Sequence, residues 1–191
     1  GTHEVDLCLW AMRLGWPKTV TAAGGRYHFK DDWEFYDTLV TNYAYDDALI
    51  TWEGLSCQGK HAEGKGRGAL IHGTEGSVLV DRTGYQVFNL DGTKTDEYST
   101  DTKTSTADLR SMDVMTDLHM QNLIDAIRKD EPLHSPIHEG NVAVTILQLS
   151  NVAWKLTRAL HIDPANGHGL GDADAAALCR REYEKGWELT V

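Results

Sequence analysis

Leu39-Val40-Thr41-Asn42-Tyr43-Ala44-Tyr45 runs into Asp46-Asp47 and continues through residues 48–55, ALITWEGL. β-Branched and aromatic residues recur here at the period of two that a strand requires, and the paired aspartates supply a tight turn between the two runs. The stretch predicts an antiparallel hairpin. Working outward, residues 69–72, 77–81 and 85–90 read as three more short strands, separated by Thr74-Glu75-Gly76 and Thr83-Gly84. Residues 19–29 read as a strand interrupted at Gly24-Gly25, where a bulge or the close approach of another backbone is expected. Neither Leu39, Thr41, Tyr43 and Tyr45 nor Val40, Asn42 and Ala44 makes a wet face, so both sides of the sheet should be covered.

The flanks of the strands are helical in pattern. Residues 5–14 place Val5, Leu7, Cys8, Leu9, Met12 and Leu14 on one broad stripe, with Thr2 as the expected N-cap and Gly15 and Pro17 as the stop. Residues 91–116 are polar with neither period strong, and predict a surface excursion or loosely ordered loop. Residues 118–129 and 137–160 follow as helices, the second with Val142, Ile146, Leu149, Val152, Ala153, Leu156 and Leu160 on one face. Residues 172–184 predict a last helix capped by Asp172, with Ala175, Ala176, Leu178 and Cys179 inward. One helix, then about six or seven strands, then three helices, is an α+β order: an open, mainly antiparallel sheet with helices packed on one face, as one domain over residues 1–191.

Composition narrows the function. Eighteen Lys and Arg stand against 29 Asp and Glu, a formal charge of −11, and no basic cluster is dense enough to read phosphates, so nucleic acid is excluded as a partner. The longest strongly apolar run, residues 142–149, is broken by Thr145 and Gln148 and spans no bilayer. Cys8, Cys57 and Cys179 lie far apart and predict buried thiols, with no disulfide framework or zinc ribbon. Ser135-Pro136 separates His134 from His138, so one helix face cannot present both, and no metal site is expected. The glycine patterns at residues 64–68 and 167–171 lack the GxGxxG spacing between a strand and a helix start, so no cofactor site is expected within the chain. The N-terminus carries no basic and apolar leader. It opens inside a helix start, as an excised piece of a longer protein would; the compartment is unknown, with a cytoplasmic one favoured.

Two places suit chemistry. His3 lies in the first turn of the first helix, three positions before Asp6, so their side chains share a face. A neutral imidazole at a helix start can pass a proton to or from a hydroxyl. Asp31-Asp32-Trp33-Glu34-Phe35-Tyr36-Asp37-Thr38 mixes aromatics with acids, a combination that suits a sugar: rings stack on its apolar faces while carboxylates accept from its hydroxyls.

Gly1-Thr2-His3-Glu4-Val5-Asp6-Leu7-Cys8-Leu9-Trp10 resembles the GxHxxDxxxW segment of the Gfo/Idh/MocA family of NAD(P)-dependent sugar and polyol oxidoreductases. Tyr36-Asp37-Thr38, residues 72–77 (HGTEGS), residues 119–128 (HMQNLIDAIR) and the tail from Gly171-Asp172-Ala173 to Trp187-Glu188-Leu189 resemble further family segments, in the family's order. The resemblance implies a two-domain enzyme, of which this chain is the C-terminal, dihydrodipicolinate-reductase-like domain that binds substrate and forms a homo-oligomer through the open sheet face. The N-terminal Rossmann domain that would hold NAD or NADP is absent from this chain, as is the family's Glu-Lys-Pro segment, so the isolated piece should be inactive. On this likeness His3 is the proton relay or hydroxyl ligand. Asp6, Trp33, Tyr36 and Arg67 are the expected substrate contacts, Arg67 by likeness to a basic loop residue of one subgroup. The family often has Pro where this chain has Tyr36, and an acidic residue four positions before the histidine falls outside the chain. Net oxidation and redox-assisted glycoside cleavage both stay open. A reading from another class also stays open, a non-catalytic assembly or binding module that uses the sheet for self-association.

Overall fold

The computed structural model describes residues 1–60, 62–99 and 114–188. Along the chain lie α1 (Thr2–Met12), β1 (Thr19–Gly25), β2 (Thr38–Ala44), β3 (Leu49–Leu55), β4 (Ala69–His72), β5 (Gly76–Asp81), β6 (Gly84–Asn89), β7 (Lys94–Ser99), α2 (Val114–Lys129), α3 (Ile137–Leu156), β8 (Leu160–His161) and α4 (Ala173–Leu178). The α+β class and the antiparallel pairing are as expected. The single sheet is not: among the described residues the strands form two four-stranded sheets, ordered β3-β2-β1-β8 and β4-β5-β6-β7. They belong to two compact units, one of residues 1–59 and 141–191, the other of residues 60–140.

In the first unit β2 alternates as its sequence requires. Leu39, Thr41 and Tyr43 are buried, and Val40, Asn42 and Ala44 half-buried. β1 and β3 flank it in register, Val20 opposite Tyr43 and Tyr43 opposite Ile50. The expected cover does not extend to β3, where residues 49, 51, 53 and 55 face solvent. Val20, Tyr43 and Ile50 meet Val5 and Leu9 of α1 and Ala143, Ile146, Leu149, Val152 and Ala153 of α3 in one apolar core. Removing this apolar surface from water is the main force holding the layers together. The Tyr43 hydroxyl shares a buried 2.6 Å hydrogen bond with Ser150, and burial pushes its pKa up to about 12. Beside it the fully buried Thr41 hydroxyl has no hydrogen-bond partner among the described residues. A buried, unmatched hydroxyl costs stability that an isosteric methyl does not. Thr41→Val is therefore expected to raise unfolding stability by about 1 kcal/mol, read as a higher denaturant midpoint with an unchanged slope.

Several boundaries differ from expectation, each for a local reason. Gly1 takes the N-cap position instead of Thr2, because Val5 N–H already donates to Gly1 O. α1 ends at Arg13 in the left-handed conformation, before Gly15 is reached. β1 stops at Gly25, short of Phe29. α3 ends at Leu156 because Thr157 turns left-handed and Arg158 N–H reaches back to Ala153 O, a helix-ending arrangement. Leu160 thereby leaves the helix and pairs with Val20 as part of β8. α4 is shorter than expected. Asp172 caps it as predicted, accepting from Ala175 N–H, yet of the four residues expected inward only Ala175 is buried. Cys57 and Cys179 are exposed and Cys8 half-buried, so the cysteines are not the buried thiols expected.

In the second unit β4 to β7 form an antiparallel meander, with a bulge between Val87 and Phe88. β7 corrects the expectation of a loop over residues 91–116. It is an edge strand whose residues are all exposed, so no burial imposes an alternating pattern on Lys94-Thr95-Asp96-Glu97-Tyr98-Ser99. The rest of that polar stretch, residues 100–113, and Leu189 of the tail lie outside the described residues. In α2, buried Asn122 holds the following turn by donating to Pro132 O and accepting from His134 N–H.

Candidate functional site

His3 is exposed on the first turn of α1, and Asp6 is half-buried one turn on. The start of that helix lies tightly on its neighbours: a Cβ on Gly1 would come within 2.9 Å of Trp52 Nε1 and 3.3 Å of Leu147 Cδ2. β3 and α3 thus seat the turn that carries His3, and the imidazole is left in solvent.

The loop of residues 26–37 is held from inside. Asp37, 2% exposed, accepts from the backbone N–H groups of Tyr27, His28 and Phe29 and from the Thr38 hydroxyl. Desolvation pushes its pKa upward, but these four donors outweigh it and hold the carboxyl far below the usual carboxylate range. Arg26 straps the other side of the loop, donating to Phe35 O at 3.0 Å and to the Asp31 carboxylate at 2.5 Å. On this frame Tyr27 and Trp33 stand out in solvent, 73% and 66% exposed.

Tyr36 turns the other way. Its hydroxyl donates to Asn151 Oδ1 on α3 at 2.8 Å, its ring meets Trp154 edge-on at 5.2 Å, and burial raises its pKa. Trp154 Nε1 in turn donates to Gly24 O at 3.0 Å, and the Phe35 ring stacks against Trp154 at 6.3 Å. Asn151 and Trp154 are the residues the sequence reading missed. The available signal was two polar or amphipathic side chains of α3 lying off the apolar face that defined the helix.

The expected site residues are therefore grouped by element: His3 with Asp6 on α1, and Trp33 with Tyr36 on one strapped loop. Arg67 belongs to the second unit, where it is exposed beside the turn that carries Lys65. In that turn Lys65 pairs with Asp81 at 2.7 Å. Against the upward push of desolvation, Lys65 and Thr83 lower the Asp81 pKa to about 2. No group of three or more potential metal ligands occurs among the described residues. Every strand pairing among them is antiparallel, and the turn at residues 64–68 leads into β4 and not into a helix.

No protein-family model and no curated protein matches the chain. Solved structures do. An oxidoreductase from Agrobacterium radiobacter, in complex with NAD+, L-tartaric acid and magnesium, superposes with a TM-score of 0.59 at 15% identity over 84% of this chain and 47% of its own. A biliverdin reductase from Synechocystis, with biliverdin and NADP+, gives 0.55 at 13% identity over 81% and 45%. The WlbA dehydrogenase from Bordetella pertussis, with NADH and UDP-GlcNAcA, gives 0.50 at 13% identity over 85% and 43%. The chain spans about half the length of the solved structures it matches. At these identities the likeness is one of fold, an α+β fold shared with about half the length of solved oxidoreductase chains. No helix among the described residues is long and apolar enough to cross a membrane.

Proposed function

We propose that this chain is the substrate-binding and oligomerisation part of an NAD(P)-dependent oxidoreductase acting on a sugar, polyol or related hydroxyl substrate. The observation that carries the reading is His3, exposed on the first turn of α1 in a fold shared with about half the length of several oxidoreductases. Because the chain matches only about half the length of oxidoreductases solved with NAD+, NADH or NADP+, the binding of NAD or NADP is assigned to a further part of the whole protein. What this chain contributes is the hydroxyl end of the reaction. His3 takes the proton from the substrate hydroxyl in oxidation and returns it in reduction. Asp6, Trp33 and Tyr36 are the proposed substrate contacts beside it. Arg67, in the second unit, is proposed separately as a basic group for a substrate oxygen.

Exposure of His3 makes the test clean, since its replacement removes no core contact. In the whole protein supplied with NAD or NADP and a panel of sugars and polyols, His3→Ala is expected to lower kcat by roughly 10²- to 10⁴-fold, the usual worth of one acid–base group. Rescue by added imidazole would mark proton transfer, and an unchanged rate would remove His3 from the reaction. The 191-residue chain alone, given the same mixture, should form no NADH. The exposed side of β3 and the half-buried outer residues of β2 are the proposed contact between copies. Light scattering should then report a dimer, and a monomer at high concentration would overturn that assembly.

A further inference from the structure

Along one flank of α3 runs a groove of about 760 Å³, bounded on one side by the strapped loop and on the other by the end of α4. That volume lies within the roughly 300–1,000 Å³ of ordinary small-molecule sites. Leu149 and Val152, both buried, form its floor, and the rings of Phe35 and Trp154 line it. Gln148, Asn151, Glu34 and Lys155 stand among its polar lining.

We propose that this groove binds a neutral saccharide, at a site distinct from His3 and independent of any cofactor. Three features of its chemistry choose the ligand. Aromatic rings over an apolar floor match the C–H face of a pyranose. Two amides, a carboxylate and an ammonium around them match hydroxyls, which both donate and accept. One Glu and one Lys offset each other, so the groove has no cationic cluster to hold a phosphate or a uronate.

The groove is also built before the ligand arrives. Trp154 is fixed by its bond to Gly24 O. Asn151 is fixed twice, accepting from Tyr36 and donating to Gln148 Oε1 at 3.1 Å. Glu34 and Lys155 make no ion pair among the described residues and remain free for hydroxyls. Preorganised side chains lose little freedom on binding, so more of the contact energy appears as affinity.

The test is saturation-transfer NMR on the 191-residue chain with methyl glucoside, cellobiose and maltose, with glucose 6-phosphate and glucuronate as charged counterparts. Transfer to at least one neutral sugar is expected, strongest at the C–H groups of one ring face. Phe35→Ala, at an exposed position, should weaken that binding tenfold or more. Gln148→Ala should weaken it several-fold, and His3→Ala should leave it unchanged. Absence of binding by every neutral sugar overturns the proposal. So does preference for the charged sugars, and so does binding that is lost in His3→Ala but kept in Phe35→Ala; that last outcome would leave the function proposed above standing.

Discussion

Gly24→Ala is expected to destabilise the first unit by about 3 kcal/mol, near the upper end of what overpacking costs. A Cβ at Gly24 would sit 2.1 Å from Thr38 O and 2.8 Å from the Leu39 Cα, both backbone atoms of the neighbouring strand. It would also press at 3.0 Å on a Leu39 side chain that is itself fully buried. No rotamer change relieves a backbone clash, so β1 must shift or part from β2. The carbonyl that holds Trp154 moves with it. At about 2–4 °C per kcal/mol for a chain of this size, the melting transition should fall by roughly 6–12 °C. Gly15→Ala, where a methyl meets nothing within 4 Å, is the control, and equal melting of the two variants would contradict the packing described for β1 and β2.

The second large effect is expected at Asp37. Asp37→Ala leaves three backbone N–H groups without their shared acceptor in a half-buried setting, and nothing else in the loop reaches them. The loop should loosen, so amide exchange at Tyr27, His28 and Phe29 should accelerate by orders of magnitude while the amides of β2 keep their protection. The same carboxylate sets a pH dependence. Its folded pKa is depressed, and those of Asp81 and Asp172 are lowered to about 2, so the unfolded chain binds protons that the folded chain does not. Stability from these groups is complete above about pH 5, begins to fall near pH 4, and is lost progressively as pH falls through the lowered folded values, about 2 for Asp81 and Asp172. In Asp37→Ala the acid-unfolding midpoint should flatten toward that of a protein with one fewer depressed carboxylate. An unchanged acid limb would show that the loop contributes nothing to it.

What was legible in the sequence is what local chemistry decides. The hairpin of β2 and β3 follows from alternation closed by Asp46-Asp47, and the capping of α4 from Asp172. The close approach expected at Gly24-Gly25 is there, with Thr38 O as the neighbour. β7 was hidden because an exposed edge strand needs no alternation. The end of α3 was hidden because the apolar period continues through Leu160, while the backbone has already turned at Thr157. The loop's acid and aromatic mixture drew attention to Tyr36, but its partner Asn151 lies 115 positions away, a pairing only the folded chain produces. Asp37 likewise reads as one more acid among several until its donors are seen around it.

The second unit is an insertion: residues 60–140 interrupt a unit whose first and last parts must find each other. The pairing of Val20 with Leu160, and the cover of Tyr43 and Ile50 by α3, join residues from opposite ends of the chain. During synthesis β1 to β3 emerge with an apolar face that α1 covers only in part until α3 follows. The inserted meander, whose neighbours are all sequential, can close in that interval. Until α3 and β8 leave the ribosome the nascent chain therefore carries a sequentially paired meander beside a sheet that is only partly covered, the window in which nascent sheets aggregate or engage chaperones.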